Sequence, residues 1–250
     1  MEQLVKRRIH LDVVDSTNSY VRNLISQGQS FPDITLIDAD NQTAGRGQKG
    51  NFWESEPGKN LTFSLVCHPT RVLAARQFIL SQAIALSICL TLSKFADGFS
   101  VKWPNDIYWN DWKVSGTLIE CDLMGKYVDT CILGTGINVN QKDFSSDAPN
   151  PMSLCKILGT DIDKEALLKD IIQEFSRIYS LIQKGRDQFV KSEYELHLYH
   201  RTGWWPYIDD KGPFEAEFVG IEPTGHLLLR VLDGSVHRYE FKEVQFVLPV

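Results

Sequence analysis

The sequence predicts an α+β protein, with a main domain of strands and helices followed by a small β-barrel. Two observations support this prediction. From residue 8 to residue 200, β-type runs mix with helical patterns whose apolar residues recur every three or four positions. After Gly203 the chain contains only short alternating segments, separated by turns rich in Gly, Pro and Asp. We therefore expect two domains, at residues 1–200 and 201–250.

The first half of the main domain begins with a predicted strand at residues 8–14. Asp15-Ser-Thr-Asn18 follows, and these residue types are typical helix N-caps. A helix is expected next, then a second strand at 34–39 and a third at 61–66. Residues 71–95 predict a core helix with its apolar residues along one side.

The second half of the main domain contains two predicted turns, at Asn110-Asp111 and Met124-Gly125, on either side of the apolar run 114–123. Thr160-Asp-Ile-Asp163 marks the start of a second amphipathic helix, and helical pattern resumes after Gly185 and ends near His200. Segments at 214–219, 227–232 and 237–241 supply the predicted barrel.

Composition excludes several classes of protein. The net charge of −6 and the absence of a basic run argue against a protein that wraps nucleic acid, so no DNA partner is expected. Five scattered cysteines without a C-x-x-C pair fit reduced core thiols. The first residues lack the apolar stretch of a signal peptide, and residues 77–93 fit a buried helix better than a membrane span. A cytoplasmic protein without a membrane partner is expected.

Gly45-Arg-Gly-Gln-Lys-Gly50 formally satisfies the G-x-G-x-x-G pattern. A dinucleotide site would need a helix directly after the glycines, a Walker loop would need Lys in place of Asn51, and a kinase would need its H-R-D and D-F-G partners. None is present. Two interpretations remain, an anion-binding loop carrying Arg46 and Lys49 or a surface hairpin. Trp53 close behind would stack on a purine or pack in the core.

Lys102-Trp-Pro-Asn-Asp106 is the second unusual segment. Pro104 interrupts a strand pattern, which normally indicates an edge strand or a bulge, and Trp103 is expected to be buried. Lys113 follows, and taken singly it is a solvated turn lysine.

Taken together, these segments resemble a known family. Ser16-Thr-Asn18, residues 42–53, residues 102–106, Lys113-Val-Ser-Gly-Thr-Leu-Ile-Glu120 and Gly134-Thr-Gly-Ile-Asn-Val139 match, in order, the signature blocks of biotin–protein ligases. The resemblance implies a mixed sheet flanked by helices, related to class II aminoacyl-tRNA synthetases, and an SH3-like C-terminal barrel. It also implies an enzyme, a biotin–[acetyl-CoA-carboxylase] ligase, that adenylates biotin with ATP and Mg²⁺ and transfers it to a lysine of a biotin carboxyl carrier protein.

The resemblance assigns roles to individual residues. Lys113 and Arg46 are expected to be catalytic. The residues expected to bind biotin are Ser16, Thr17, Asn18, Gln42, Gly45, Arg46, Gly47, Gln48, Lys113 and Gly116. Those expected to bind ATP or the adenylate are Arg46, Lys49, Gly50, Trp53, Asn105, Asp106 and Asn138. The resemblance does not assign the metal ligands. Asp106 is a candidate ligand of Mg²⁺, and its alternative role is to orient Lys113.

Two departures from the family pattern affect these expectations. Many members have Arg where this chain has Gln48, so one charge that would hold the adenylate is missing, and Lys49 is a candidate replacement. Some members carry an upstream helix-turn-helix domain and repress transcription. This chain starts almost at its first strand, so a ligase without a repressor role is expected. A homodimer is one possible assembly. The competing interpretations are a lipoate–protein ligase and a non-catalytic binding module.

Overall fold

The computed structural model describes residues 5–48, 51–145 and 150–248, which form two β-sheets and five α-helices. The main region contains, in chain order, β1 (Arg7–Val14), α1 (Thr17–Ser26), β2 (Thr35–Gln42), β3 (Leu61–Cys67), α2 (Phe78–Leu92), β4 (Phe99–Lys102), β5 (Asp106–Trp109), β6 (Trp112–Met124), β7 (Tyr127–Ile137), α3 (Leu154–Leu158), α4 (Lys164–Gln183) and α5 (Asp187–Leu196). The C-terminal region contains β8 (Trp204–Asp209), β9 (Gly212–Ile221), β10 (Leu227–Val231), β11 (Val236–Tyr239) and β12 (Gln245–Phe246).

The main sheet has seven strands in the order β1-β2-β3-β7-β6-β5-β4. Only β1 and β2 run parallel, with α1 as the crossover between them, and the other neighbours are antiparallel. The helix α1 packs on one face of the sheet through Val21, which contacts Ile37 and Val66. The larger core, with α2 and α4, lies on the other face. The implied mixed sheet flanked by helices is therefore confirmed.

The local signals for helix starts are confirmed. Ser16 is the N-cap of α1 and accepts a hydrogen bond from the Ser19 amide, and Asp163 caps α4 through the amides of Glu165 and Ala166. These caps satisfy amides that have no partner within the helix.

The core helix differs from its prediction. A 3₁₀ turn at Ala74–Arg76 precedes it, and α2 itself begins at Phe78. Thirteen of its fifteen residues are buried, so the expected single apolar side is wrong; α4 and α5 cover the side that faces away from the sheet. Two of its hydroxyls are satisfied within the helix, because Ser87 and Thr91 donate to the carbonyls one turn earlier. Residues 74–92 are apolar and long enough to cross a membrane, but most of them are buried in this core.

The predicted turns lie close to where they were expected. Asn110 and Asp111 connect β5 to β6, and Asn110 adopts a left-handed φ of 49°. The next turn is at Gly125-Lys126, one residue late, with Gly125 at φ 61°. Pro104 lies neither inside a strand nor in a bulge; it is part of the turn from β4 to β5, at the edge of the sheet.

The C-terminal residues form a second, antiparallel sheet in the order β11-β10-β9-β8-β12, consistent with an SH3-like unit. The sequence patterns did not identify β8 and β12. The two sheets share one buried core. At their junction the buried Trp103 donates its indole N–H to the Gly225 carbonyl at 3.0 Å.

Candidate active site

A cavity of about 700 Å³ opens beside the main sheet, a size typical of small-molecule sites. Its lining includes thirteen of the predicted site residues: Ser16, Thr17, Asn18, Gln42, Arg46, Gly47, Gln48, Trp53, Asn105, Asp106, Lys113, Gly116 and Asn138. Gly45 is buried and is not part of the lining. Lys49 and Gly50 lie outside the described residues. Segments that are far apart in sequence therefore meet around one space.

The start of α1 supplies a buried polar cluster to the cavity wall. The amide and hydroxyl of Thr17 donate to Gln42 Oε1 at 2.8 and 3.1 Å. Asn18 accepts from the Ser64 hydroxyl at 2.6 Å and donates to Glu120 Oε2 at 2.8 Å. Because these groups hold one another in fixed orientations, they can present directional hydrogen bonds to a polar ring.

Two glycines of β7 make room for site side chains. A Cβ atom on Gly134 would lie 2.2 Å from Asn18 Oδ1, and one on Gly136 would lie 2.2 Å from Trp53 Cε2. The Trp53 ring therefore lies directly against the backbone of the sheet while lining the cavity. Its Nε1 is buried and has no hydrogen-bond partner among the described residues. A buried indole N–H normally finds an acceptor, so this one is unusual for a residue that packs only in an apolar core.

The described parts of the glycine-containing segment, residues 45–48 and 51–53, pair with each other, and residues 51–60 contain no helix. Arg46 pairs with Phe52 as an antiparallel bridge, and the Trp53 amide donates to the Gly45 carbonyl at 2.9 Å. The Arg46 guanidinium lies 3.3 Å from Glu120 Oε1 and 3.3 Å from the Ser19 hydroxyl, with nearly half of the side chain exposed. The segment is thus a hairpin that also borders the cavity, and Arg46 contacts an acidic group.

Lys113 lies at the start of β6, in the wall of the cavity, so its interpretation as a solvated turn residue is wrong. Its ammonium contacts Asp106 Oδ2 at 2.7 Å, and both side chains are about three-quarters buried. Gly116 leaves room for the pair, because a Cβ there would lie 3.1 Å from Asp106 Oδ1 and 3.3 Å from Lys113 Nζ. The orienting role suggested for Asp106 thus has a direct contact behind it.

Asn105 and Asn138 occupy the same wall but have different partners. Asn105 is buried and donates to the Ser81 hydroxyl at 3.2 Å, which ties the β4–β5 turn to α2. The buried Oδ1 of Asn138 has no hydrogen-bond partner among the described residues. A buried amide oxygen without a partner is costly, and a donor from a bound molecule would satisfy it.

Lys102 is a cavity residue that the sequence patterns did not single out. Its ammonium lies over the rings of Tyr108 and Phe246, at 5.3 and 4.9 Å from their centroids. Burial lowers the pKa of Lys102; the nearby Lys113 also lowers this pKa and Asp106 raises it. Its place beside Trp103-Pro-Asn-Asp106 was the one available signal.

The cavity lining contains two carboxylates, those of Glu54 and Asp106, and Glu54 accepts hydrogen bonds from Gln141 and the Ser145 amide. Mg²⁺ in phosphate-transferring sites is typically held by one or two carboxylates together with phosphate oxygens. Asp106 Oδ2 is engaged by Lys113, and Oδ1 has no hydrogen-bond partner in the described part of the chain. The donor set thus fits an ion that is bound mainly through a nucleotide. Elsewhere in the described chain, His10, Asp12 and Asp40 form an exposed cluster outside this cavity.

Comparisons with known proteins identify the family. The profile of the biotin/lipoate A/B protein ligase family matches residues 10–138. The bifunctional ligase/repressor BirA of Escherichia coli is 32% identical over 90% of this chain and 70% of its own length. The biotin–[acetyl-CoA-carboxylase] ligase of Paracoccus denitrificans is 32% identical over 86% of this chain and 91% of its own.

A solved structure of a biotin protein ligase has the same fold as this chain. The biotin protein ligase from Aquifex aeolicus, in complex with biotin and ATP, superposes with a TM-score of 0.79 at 27% identity. The match covers 98% of this chain and 100% of the Aquifex chain, so it includes the C-terminal sheet. The chain belongs to the biotin/lipoate A/B protein ligase family, as one of its biotin–protein ligases.

Proposed function

We propose that this protein activates biotin with ATP and transfers it to a lysine of a biotin carboxyl carrier domain. In the first step a biotin carboxylate oxygen attacks the α-phosphorus of ATP, the bond to the α–β bridging oxygen breaks, and pyrophosphate leaves. In the second step the carrier lysine amine attacks the acyl carbon, AMP leaves with the bonding electron pair, and the amine gives up a proton. The observation that carries this proposal is the Lys113–Asp106 pair, which lines the same cavity as the polar cluster at α1.

Lys113 is proposed as the catalytic cation. The attack brings two anions together, so a fixed positive charge between them stabilises the transition state more than the separated reactants. Asp106 holds the ammonium at 2.7 Å, which fixes its position before the substrates arrive. No protein nucleophile is needed, because ATP supplies the activation.

The polar cluster and its neighbours are proposed as the biotin site. Ser16, Thr17, Asn18 and Gln42 would bind the ureido ring through directional hydrogen bonds, and Gly116 leaves space beside Lys113. Trp53 would stack on adenine, with Asn105 and Asn138 at the nucleotide end. Asp106 is also proposed as a carboxylate ligand of a nucleotide-bound Mg²⁺.

The 45–53 hairpin is proposed to close over the adenylate. Its proposed contacts are Gly45, Arg46, Gly47, Gln48, Lys49 and Gly50. The Arg46–Glu120 contact is half-exposed and 3.3 Å long, so it contributes about 0–1 kcal/mol and a phosphate would replace it readily. Arg46 is thus proposed as the second catalytic cation, recruited when the phosphate arrives.

The wider setting is also a proposal. We propose a cytoplasmic enzyme, because the five cysteines are free thiols. We propose a catalytic domain at 1–200 and an SH3-like domain at 201–250, with no DNA or membrane partner. A homodimer is the proposed assembly.

Transfer to a carrier tests the whole proposal. Purified protein is incubated with ATP, Mg²⁺, biotin and a biotin carboxyl carrier domain, and the carrier mass is measured. The expected result is one added biotin on the native carrier and none on a carrier whose target lysine is replaced by arginine. Modification with lipoate alone would favour the lipoate ligase instead, and no modification with either acid would favour a binding module.

A further inference from the structure

Two cysteines face each other across the β6–β7 pair. Cys121 lies directly opposite Cys131 in the register, and the Cys121 thiol donates a hydrogen bond to Cys131 Sγ at 3.2 Å. The Asn138 amide donates to the Val114 carbonyl, so those two residues form a hydrogen-bonded pair of the same ladder. The two kinds of pair alternate along an antiparallel ladder, and the cysteines lie an odd number of positions further on, so theirs is a non-hydrogen-bonded pair. Such pairs bring their Cα atoms to about 4.5 Å, within the range that a disulfide bond spans.

The two thiols differ in exposure and in acidity. Cys131 is completely buried, whereas Cys121 is half-buried and lies close to the exposed end of the hairpin at Met124. The hydrogen bond with Cys131 lowers the pKa of Cys121, and the Arg22 guanidinium lowers this pKa further, although burial opposes both. The same hydrogen bond raises the pKa of Cys131. Cys121 is therefore the thiol that an oxidant from solvent reaches first, with Cys131 directly behind it.

Cys67 is a second neighbour of Cys131. It lies opposite Cys131 on β3, and all three cysteines pack against the core on the same face of the sheet. The Cys67 thiol is completely buried, and burial raises its pKa well above that of an ordinary thiol. Of the three cysteines, Cys121 is the one that combines partial exposure with a hydrogen bond to another thiol.

We infer that Cys121 and Cys131 are a peroxide-sensitive pair that forms a reversible disulfide bond. In the first step the Cys121 sulfur attacks one oxygen of a hydroperoxide and the O–O bond breaks. An alcohol, or water from hydrogen peroxide, leaves with the thiol proton, and Cys121 becomes a sulfenic acid. In the second step the Cys131 sulfur attacks the Cys121 sulfur, the S–O bond breaks, and hydroxide leaves with the Cys131 proton as water. The two thiols lose two electrons, and the peroxide gains them.

The short distance between the two sulfur atoms protects β6. A sulfenic acid that meets no thiol reacts with more peroxide to a sulfinic acid, which cellular thiols do not reverse. At Cys121 this product would add two oxygens and a negative charge to a packed strand, next to Glu120, which accepts a hydrogen bond from Asn18 at 2.8 Å. Capture by Cys131 avoids this damage, and a dithiol restores the strand. This chemistry is independent of the proposed function.

Peptide mapping of the wild-type protein tests the disulfide directly. The protein is treated with hydrogen peroxide, its remaining thiols are blocked, and it is digested with trypsin without reductant. Cleavage after lysines places Cys121 and Cys131 on separate peptides, residues 114–126 and 127–142. We expect these two peptides to be joined, with a mass about 2 Da below their sum, and to be separated by dithiothreitol. The inference is overturned if the joined peptides are absent, or if 127–142 is joined instead to the peptide that carries Cys67.

Two variants test whether Cys131 captures the sulfenic acid, after circular dichroism has shown each to be folded. In Cys131→Ala we expect the 114–126 peptide to gain about 32 Da, the mass of a sulfinic acid, which dithiothreitol does not remove. Fragmentation assigns the added mass to Cys121, since Met124 lies on the same peptide. Cys67→Ala, which removes the other buried thiol of the row, is the matched control and keeps the joined peptides. Cys121 that stays a free thiol in peroxide-treated Cys131→Ala would contradict its role as the attacking group. If Cys131→Ala does not fold, the wild-type map decides.

Discussion

The shape of the cavity depends on single residues that have no side chain. Gly134 and Gly136 lie two positions apart on β7, so they face the same side of the sheet. One leaves room for Asn18 and the other for Trp53. The strand thereby positions one residue proposed for biotin and one proposed for adenine.

Alanine at Gly134 and alanine at Gly136 are predicted to weaken the binding of different substrates. Gly134→Ala pushes Asn18 aside and should raise the KM for biotin about 10-fold or more, whereas Gly136→Ala displaces Trp53 and should raise the KM for ATP by a similar factor, each the loss of roughly 1.4 kcal/mol or more of binding. Steady-state kinetics with each substrate varied measures this. Gly220→Ala, where an added Cβ meets nothing within 4 Å, is the control. The same change in both constants for both variants would contradict the division.

Lys113→Ala is predicted to abolish adenylate formation while leaving the fold intact. Loss of one preorganised electrostatic group costs about 100- to 1000-fold in the catalytic rate. Single-turnover formation of labelled biotinyl-AMP measures the step, and circular dichroism checks the fold. Near-normal adenylation by this variant would remove Lys113 from its proposed role.

At the scale of elements, the 45–53 hairpin and the β1–β2 pair make separate predictions. Gln48, a neutral residue, borders the cavity. The neighbouring Lys49 lies outside the described residues. Among the described residues of this segment Arg46 is the one cation, and its guanidinium contacts Glu120.

Gln48→Arg is predicted to slow release of the bound adenylate about 5- to 10-fold, because a second guanidinium near the phosphate adds a charge-assisted contact. The preformed labelled complex is diluted into excess unlabelled biotin and ATP, and the bound label is followed over time. Gln48→Asn, which stays neutral, should leave the release rate close to that of wild type. Faster or unchanged release from the arginine variant would contradict a phosphate-facing position 48.

The β1–β2 pair predicts a pH dependence of stability. Burial alone would raise the pKa of Asp38, but its hydrogen bonds to Arg8 and His10 outweigh burial and lower it. The hydrogen bond to Asp38 raises the pKa of His10 above its ordinary value. The folded state therefore binds a proton more tightly at His10 than the unfolded state does.

The contribution of His10 to the free energy of unfolding is therefore largest below its ordinary pKa of about 6.5. This contribution is lost as the pH rises through the higher pKa of the folded state. In His10→Gln the corresponding decline in the free energy of unfolding is expected to disappear. Urea unfolding at pH values from about 5.5 to 8.5, which span the titration of histidine, measures the free energy of unfolding of both proteins. An equal decline in both would show that His10 does not carry it.

At the scale of the whole molecule, one buried core joins the two sheets. The Trp103 indole donates to Gly225, and Phe78 lies against the same glycine, which adopts a φ of 98° that only glycine tolerates readily. The C-terminal sheet is thereby fixed beside the cavity, and Phe241, in the connection between β11 and β12, lines the cavity.

Because of this shared core, thermal unfolding is predicted to be a single transition. Tryptophan fluorescence, which includes Trp103 at the junction, and far-ultraviolet circular dichroism should give the same midpoint. Two separated transitions would show that the C-terminal sheet melts independently of the main sheet.

The sequence predicted much of the fold because its signals were local. Ser16 and Asp163 are caps whose partners lie two or three residues away, and Asn110 is a turn residue. The parts it did not predict depend on long-range contacts. Lys113 faces a cavity only because β5 and β6 pair, and the burial of α2 on all sides follows from α4 and α5, which lie far along the chain.

The candidate site, too, was predictable where its signals were local and not where it depends on long-range contacts. Polar and glycine residues in unusual places marked most of the cavity lining, because a binding site interrupts the apolar pattern of a strand. The contacts of Glu120 with Asn18 and Arg46, and of Phe246 with Lys102, join residues roughly 75 to 145 positions apart and left no local pattern.

The most direct test of the central claim is exchange of labelled pyrophosphate into ATP by the wild-type protein, with biotin or lipoate as the acid. Exchange reports the reversible adenylation step without a carrier protein. We expect exchange that depends on biotin and on Mg²⁺, is abolished by Lys113→Ala and is unchanged by Lys169→Ala. Exchange with lipoate but not with biotin, or none with either acid, would contradict the account.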